Sequence, residues 1–261
     1  MDKRKVIYYT DELNEEFSLA QITPRRIDAD YVYIHDSLFK RFTHFFWYRI
    51  VATPIAFMYT KCILHHKIIG KKAFKECKDQ GYFMYGNHTH DIGDAFMPHF
   101  FNFPKNDYLI VHPNNVSMPG LGRITPSLGA LPLPDDREAF KHFNDAIDTH
   151  IKRKHAVVIY PEAHIWPYYT GIRPFPETSF AYPVRLDAPV YCFTNTYHKC
   201  RFFRHPKIIT YIDGPFYPDK ELSPRARRKA LRDKVHDTMC LRAKNSTHVQ
   251  IRYIKREDQD D

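Results

Sequence analysis

Five short apolar runs constrain this chain more than any other feature. Tyr82-Phe83-Met84-Tyr85, Tyr108-Leu109-Ile110-Val111, Ala156-Val157-Val158-Ile159-Tyr160, Val190-Tyr191-Cys192-Phe193 and Ile208-Ile209-Thr210-Tyr211-Ile212 are strand-length and rich in β-branched and aromatic residues. Near-continuous apolarity, in place of strict alternation, predicts central strands covered on both faces. Between the second and third runs, Phe140, Phe143, Ile147 and Ile151 recur at three- and four-residue steps, which predicts an amphipathic helix. A second helix is predicted through Ala226, Ala230, Val235 and Cys240, with Arg227, Arg228, Lys229, Arg232 and Lys234 among its polar positions. Strands separated by helices predict βαβ units, and so an α/β fold with a mainly parallel central sheet flanked by helices. The 261 residues suffice for one such domain with a modest appendage. The expected division is an N-terminal segment, 1–75, and an α/β domain, 76–261. With 18 Tyr and 20 Phe and no triplet or heptad period, disorder, collagen and coiled coil are excluded.

The charge is unevenly spread. The formal net charge is +9, which calls for an anionic partner. Residues 1–80 carry 14 basic and 10 acidic side chains, residues 81–218 carry 13 and 12, and residues 219–256 carry 12 and 4; four acids close the chain. A nucleic-acid enzyme would spread Lys and Arg through its central groove. The near-neutral centre argues for no nucleic acid, although a basic nucleic-acid-binding protein remains an alternative reading of the helix at 225–234.

The most apolar stretch, Phe45 to Thr60, is free of charge only from Ile50 to Thr60, too short for the roughly 20 residues of a spanning helix. Lys40, Arg41, Arg49, Lys61, Lys67, Lys71 and Lys72 bracket it, as in a helix lying in a lipid headgroup region; an ordinary core helix is the other reading. The first 18 residues contain no apolar run of signal-peptide type. Five cysteines, with no Cys-x-x-Cys spacing, predict free thiols in a reducing compartment.

Three segments carry candidate chemistry. Gly86-Asn87-His88-Thr89-His90-Asp91-Ile92-Gly93-Asp94 follows the first predicted strand, at the carboxyl end where sites of parallel sheets collect. A histidine backed by a carboxylate is equipped for proton transfer near neutral pH. A metal-dependent hydrolase built on His88, His90 and Asp91 is the alternative, although Ile92 and Gly93 break the His-x-His-x-Asp-His pattern of metallo-β-lactamase-like enzymes. Pro161-Glu162-Ala163-His164-Ile165-Trp166 follows the third run and leads to Arg173. Between them, Gly120, Gly122, Arg123 and Gly129 provide either structural turns or a phosphate cradle. No Gly-x-Ser-x-Gly occurs.

In order, these segments resemble the glycerolipid acyltransferase family. Its signature is an Asn-His block with an Asp after four further residues, a glycine-led strand block, and a Phe/Tyr-Pro-Glu-Gly-Thr block. Here they read Asn87-His88 to Asp94, Gly129-Ala130-Leu131-Pro132-Leu133, and Tyr160-Pro161-Glu162-Ala163-His164. Gly-Asn-His-Thr and Tyr-Pro-Glu-Ala-His-Ile-Trp-Pro are similar to a divergent bacterial branch of 1-acyl-sn-glycerol-3-phosphate acyltransferases. With an echo of a fourth block at Ala188-Pro189-Val190, the resemblance runs from Gly81 to Tyr197. The chain departs from the pattern in having five residues between His88 and Asp94, in Ala163-His164 replacing Gly-Thr, and in Asp135 standing where an arginine often closes the second block.

The resemblance implies acyl transfer to the free hydroxyl of lysophosphatidate, giving phosphatidate in phospholipid synthesis. His88 is then the general base, oriented by Asp94. Asn87, Arg123, Gly129, Glu162, His164 and Arg173 are the expected substrate-binding residues, with Arg137 a further phosphate candidate. No metal or cofactor is implied; acyl-CoA, acyl-carrier protein or acyl phosphate is the co-substrate. The expected partners are the lysophospholipid acceptor, the acyl donor and an anionic membrane surface. The expected place is cytoplasmic, peripherally bound to the inner face of the cell membrane.

Overall fold

The computed structural model describes residues 5–17, 22–200 and 205–256. Strand β1 (Lys5–Tyr9) comes first. A helical run follows: α1 (Leu38–Phe45), a π-helical stretch (Phe46–Ala52), α2 (Thr53–Met58) and a second π-helical stretch (Tyr59–Ile63). Ser37 Oγ accepts the Lys40 N–H at the start of α1, at 3.3 Å. The widened turns lie on either side of Pro54, which has no N–H to give and crowds the preceding turn. Then come β2 (Lys67–Ile69), β3 (Tyr82–Gly86), α3 (Gly93–Asn102), β4 (Asp107–Val111), β5 (Ala130–Pro132) and α4 (Arg137–Lys152). The chain continues through β6 (Ala156–Ile159), α5 (Ala181–Leu186), β7 (Val190–His198), β8 (Lys207–Phe216), α6 (Pro224–Ala243) and β9 (Ile251–Lys255).

Seven strands form the central sheet in the order β2-β8-β7-β3-β6-β4-β5. All its pairs are parallel except β7 with β8. All five predicted strands are present, and so are both predicted helices. Successive residues of β3 point to opposite faces. Phe83 and Tyr85 pack with Val157, Ile159, Val190 and Cys192 against Phe143 and Ile147 of α4 and Leu231, Val235 and Met239 of α6. Tyr82 and Met84 pack on the other face with Val158, Tyr191 and Phe193 against Met97 and Phe101 of α3 and Leu64. This double cover explains the unbroken apolarity of the central strands.

The expected boundary at residue 75 does not separate two packing units. β2 belongs to the central sheet, β1 pairs in parallel with the C-terminal β9, and the Ile27 N–H donates to Asp135 Oδ2 at 2.6 Å. The helical run extends the expected 45–60 element to Leu38–Ile63 and leaves Leu38, Phe39, Phe42, Phe45, Ile50 and Phe57 exposed. Among the described residues, no helix is long and apolar enough to cross a membrane. The basic helix α6 packs on the opposite face of the sheet from Tyr59 and Leu64. Part of its charge is spent internally: Arg242 Nε bonds Asp213 Oδ2 at 2.9 Å, and Arg232 donates to the Phe175 carbonyl at 3.1 Å. All five cysteines are free thiols.

Candidate active site

The carboxyl end of β3 runs into a turn that folds around one carboxylate. Asp94, in the first turn of α3 and 2% exposed, accepts at Oδ2 from His88 Nδ1 at 2.8 Å and from the Thr89 and His90 N–H groups, both at 2.9 Å. The amino end of a helix also favours a negative charge there. Five residues intervene between His88 and Asp94, and Gly93 lets the turn close over them. A Cβ at Gly93 would stand 2.8 Å from His90 Nδ1, the nitrogen that accepts the Gly93 N–H at 3.1 Å.

With Nδ1–H donated to Asp94, the His88 ring presents Nε2 as a free lone pair. The side chain is 25% exposed, and its ring stacks on Tyr160 at 4.6 Å between centroids. A histidine held in one tautomer by a buried carboxylate, with its other nitrogen open, is equipped to take a proton from a hydroxyl. The turn's own amides are largely committed: those of His88, Thr89, His90, Gly93 and Asp94 all donate within the protein.

Asp91 is exposed and is not a partner in the His88–Asp94 hydrogen bond. Burial lowers the His90 pKa, with Asp94 opposing that shift. Among the described residues, no three His, Cys, Asp or Glu side chains are grouped so as to hold a metal ion. The donor set of the hydrolase alternative is therefore not assembled.

Several expected substrate-binding residues are placed inward. Asn87 is buried and exchanges hydrogen bonds with the Asn195 backbone, donating to its carbonyl at 3.1 Å and accepting its N–H at 2.8 Å. Glu162 is buried; Oε2 accepts the His88 N–H at 3.1 Å and Oε1 accepts the Arg173 N–H at 3.0 Å. Burial raises the Glu162 pKa, and the Arg173 guanidinium opposes the rise. Arg173 is 1% exposed. Its guanidinium lies over Trp166 at 4.9 Å and bonds the carbonyls of Glu162 and His164, so it has no face turned to a substrate at His88. His164 is half-exposed and pairs with Glu16 at 3.2 Å. Gly129 is buried, with φ +90° and only 2.4 Å between an added Cβ and the Asp107 carbonyl oxygen, a turn requirement. Arg123 is exposed on a cavity that none of His88, Asp94 or Glu162 lines.

The two ends of the chain clasp the loop after β6. Trp166 Nε1 donates to the Glu15 carbonyl at 2.8 Å, and the Tyr253 hydroxyl donates to the Pro167 carbonyl at 2.9 Å. Tyr253 of β9 stacks on Trp166 at 4.9 Å. Sequence reasoning missed this clasp and also missed Asn195, whose side chain donates toward Asp94 Oδ1 at 3.5 Å and accepts from Thr210 Oγ1 at 2.6 Å. The available signal was Thr194-Asn195-Thr196, a polar triplet that follows the apolar run Val190 to Phe193 within β7, the strand paired in parallel with β3.

The sequence matches no family model and no curated protein. Among solved structures, the chain is similar to the 1-acyl-sn-glycerophosphate (LPA) acyltransferase PlsC from Thermotoga maritima, at 18% identity and a TM-score of 0.56, over 80% of this chain and 89% of that one. The mainly parallel sheet and its flanking helices therefore have the fold of that acyltransferase.

Proposed function

We propose that this chain belongs to the glycerolipid acyltransferases and transfers an acyl group from an activated donor to the free hydroxyl of lysophosphatidate, giving phosphatidate. The observation that carries the reading is the His88–Asp94 pair, closed at 2.8 Å at the carboxyl end of β3 with Nε2 open, on a fold shared with an LPA acyltransferase. His88 Nε2 takes the hydroxyl proton as the oxygen attacks the acyl carbonyl. Asp94 stabilises the imidazolium that forms, and His88 returns the proton to the departing thiolate or phosphate. No covalent enzyme intermediate is needed.

Glu162 and Arg173 support this pair from behind. Glu162 fixes the His88 backbone, and Arg173 neutralises Glu162 and ties the loop after β6. Their place is positioning, in contrast to the direct substrate contact expected from the sequence. The exposed apolar residues of the helical run, followed by the exposed Lys61 and Lys67, support docking on an anionic membrane surface. We place the protein on the inner face of the cell membrane, where its lipid acceptor and product reside.

The test is acyl transfer to lysophosphatidate with acyl-CoA, acyl-carrier protein and acyl phosphate supplied in turn. Phosphatidate formation with at least one donor is expected; none with any of the three sinks the reading.

A further inference from the structure

A cavity of about 910 Å³ lies far from His88. Asn106 and Tyr108, at the start of β4, and His155, just before β6, line it. β3 and β6 run parallel, with Tyr82 opposite Ala156 and Tyr85 opposite Ile159. His88 lies beyond the carboxyl end of β3, so it stands about seven residues, roughly 20 Å, further along the strand direction than His155. The cavity is thus at the opposite end of the sheet from the candidate active site.

Its charge is lopsided. Arg25, Lys40, Arg41, Arg123 and Arg153 line it, against Asp30 and Asp36. Arg153 is paired with Asp36 at 2.8 Å, and Arg25 lies over the Tyr31 ring at 5.1 Å. The side chains of Lys40, Arg41 and Arg123 form no ion pair or hydrogen bond among the described residues; five cations against the two carboxylates Asp30 and Asp36 leave the lining with a net charge of +3.

The cavity also has a buried polar wall. His150 is 3% exposed, and its ring stacks on Tyr108 at 3.5 Å. Its Nδ1 lies 3.2 Å from His155 Nδ1, so one of these nitrogens donates and the other accepts. His150 Nε2 is buried with no partner. When His155 donates, His150 carries its proton on Nε2 and offers it as a donor. Burial is the main cause lowering His150 to about 3 and His155 to about 4, so both rings are neutral at pH 7 and the positive charge belongs to the arginines and the lysine.

The source of a ligand follows from α1. Leu38, Phe39, Phe42 and Phe45 are exposed on one side of the helix, while Lys40, Arg41 and His44 line the cavity. At 100° per residue the two sets point roughly 140° apart. A bilayer that receives the apolar stripe leaves the cavity facing solvent.

We propose that this cavity is a second binding site, for a soluble small molecule carrying two or more phosphate groups. The net charge of +3 on the lining is more than one phosphate brings, guanidinium groups suit phosphate geometry, and the volume is that of a small-molecule site. His150, which lines the cavity, adds a buried ring nitrogen that has no partner within the protein.

Titration calorimetry on the full chain, without acyl substrates, tests the proposal with two probes: inorganic pyrophosphate and adenosine 3′,5′-bisphosphate. Saturable one-site binding of at least one probe is expected, weakened about tenfold by Arg41→Gln and by Arg123→Gln, and unchanged by His88→Ala. Tighter binding of the nucleotide would mean that the base is recognised as well; equal binding would mean that phosphate alone is read. No saturable binding of either probe at millimolar concentration overturns the proposal. So does binding that survives both arginine substitutions or is lost with His88→Ala. Because no acyl transfer is measured, failure of the acyltransferase reading leaves this result standing.

Discussion

Asn87 and Asn195 hold β3 and β7 together beyond Gly86 and Phe193, the last residues these two strands pair: the Asn87 side chain takes the place of a strand, bonding both the N–H and the carbonyl of Asn195. The residue after Asn87 is His88, so this clasp fixes the backbone that aims the imidazole.

Asn87→Ala orphans two buried backbone groups, at a cost of about 2–4 kcal/mol. Urea unfolding is expected to show that loss, together with a fall in kcat of about tenfold or more. Asn195→Ala keeps the backbone clasp and removes only the contacts to Thr210 and Asp94, so its stability loss should be the smaller of the two. The reverse order would contradict the clasp.

Ala163 adopts φ 61°, the left-handed region, at the position where the resembled family carries glycine. An alanine there costs about 1 kcal/mol relative to glycine. Ala163→Gly is therefore expected to raise the unfolding midpoint by a few degrees with acyl transfer unaffected, measured by thermal melts alongside initial rates. A lower midpoint would show that the loop after β6 is not strained.

Acid should destabilise the fold early. Burial holds buried His66, His99 and His150 down at about 3, 4 and 3, below the 6.5 of an unfolded histidine. The unfolded chain therefore takes up protons first, and stability falls as pH drops from about 6.5 towards 4, each histidine contributing up to about 1.4 kcal/mol per pH unit. Glu162 and Asp107, raised by burial, act in the opposite sense, two groups against these three and His155, which burial lowers to about 4. Urea midpoints at pH 7.5, 6 and 5 should fall in that order; a midpoint at pH 5 equal to that at pH 7.5 would refute it.

The exposed stripe of α1 should govern attachment to lipid. Replacing Phe39 and Phe42 with serine removes two large apolar groups from the surface, each worth up to about 1.5–3 kcal/mol when buried. Flotation with anionic vesicles is expected to show at least a tenfold weaker association for the double variant, at low and high salt. Equal flotation of both proteins would remove the stripe from the account.

The fold was legible because burial on both faces leaves a plain mark: runs such as Ala156 to Ile159 are apolar throughout, and Phe143 and Ile147 recur with the helical period. The antiparallel entry of β8 left no such mark, because an edge-side strand reads alike in either direction. His88 and Asp94 could be paired from their place after a strand. The inward turn of Arg173 could not, since arginine belongs on surfaces and only the stacked Trp166 and buried Glu162 make its burial tolerable. Arg123 failed for a topological reason: the link from β4 to β5 carries it to a cavity at the other end of the sheet.

The central claim is that His88 Nε2 removes the acceptor's proton. Initial rates of phosphatidate formation from lysophosphatidate, measured for wild type and for a His88→Ala protein with an unchanged circular dichroism spectrum, test it most directly. A fall in kcat of about 10²–10⁴-fold is predicted. A folded His88→Ala protein that transfers acyl groups at near wild-type rate would contradict the account.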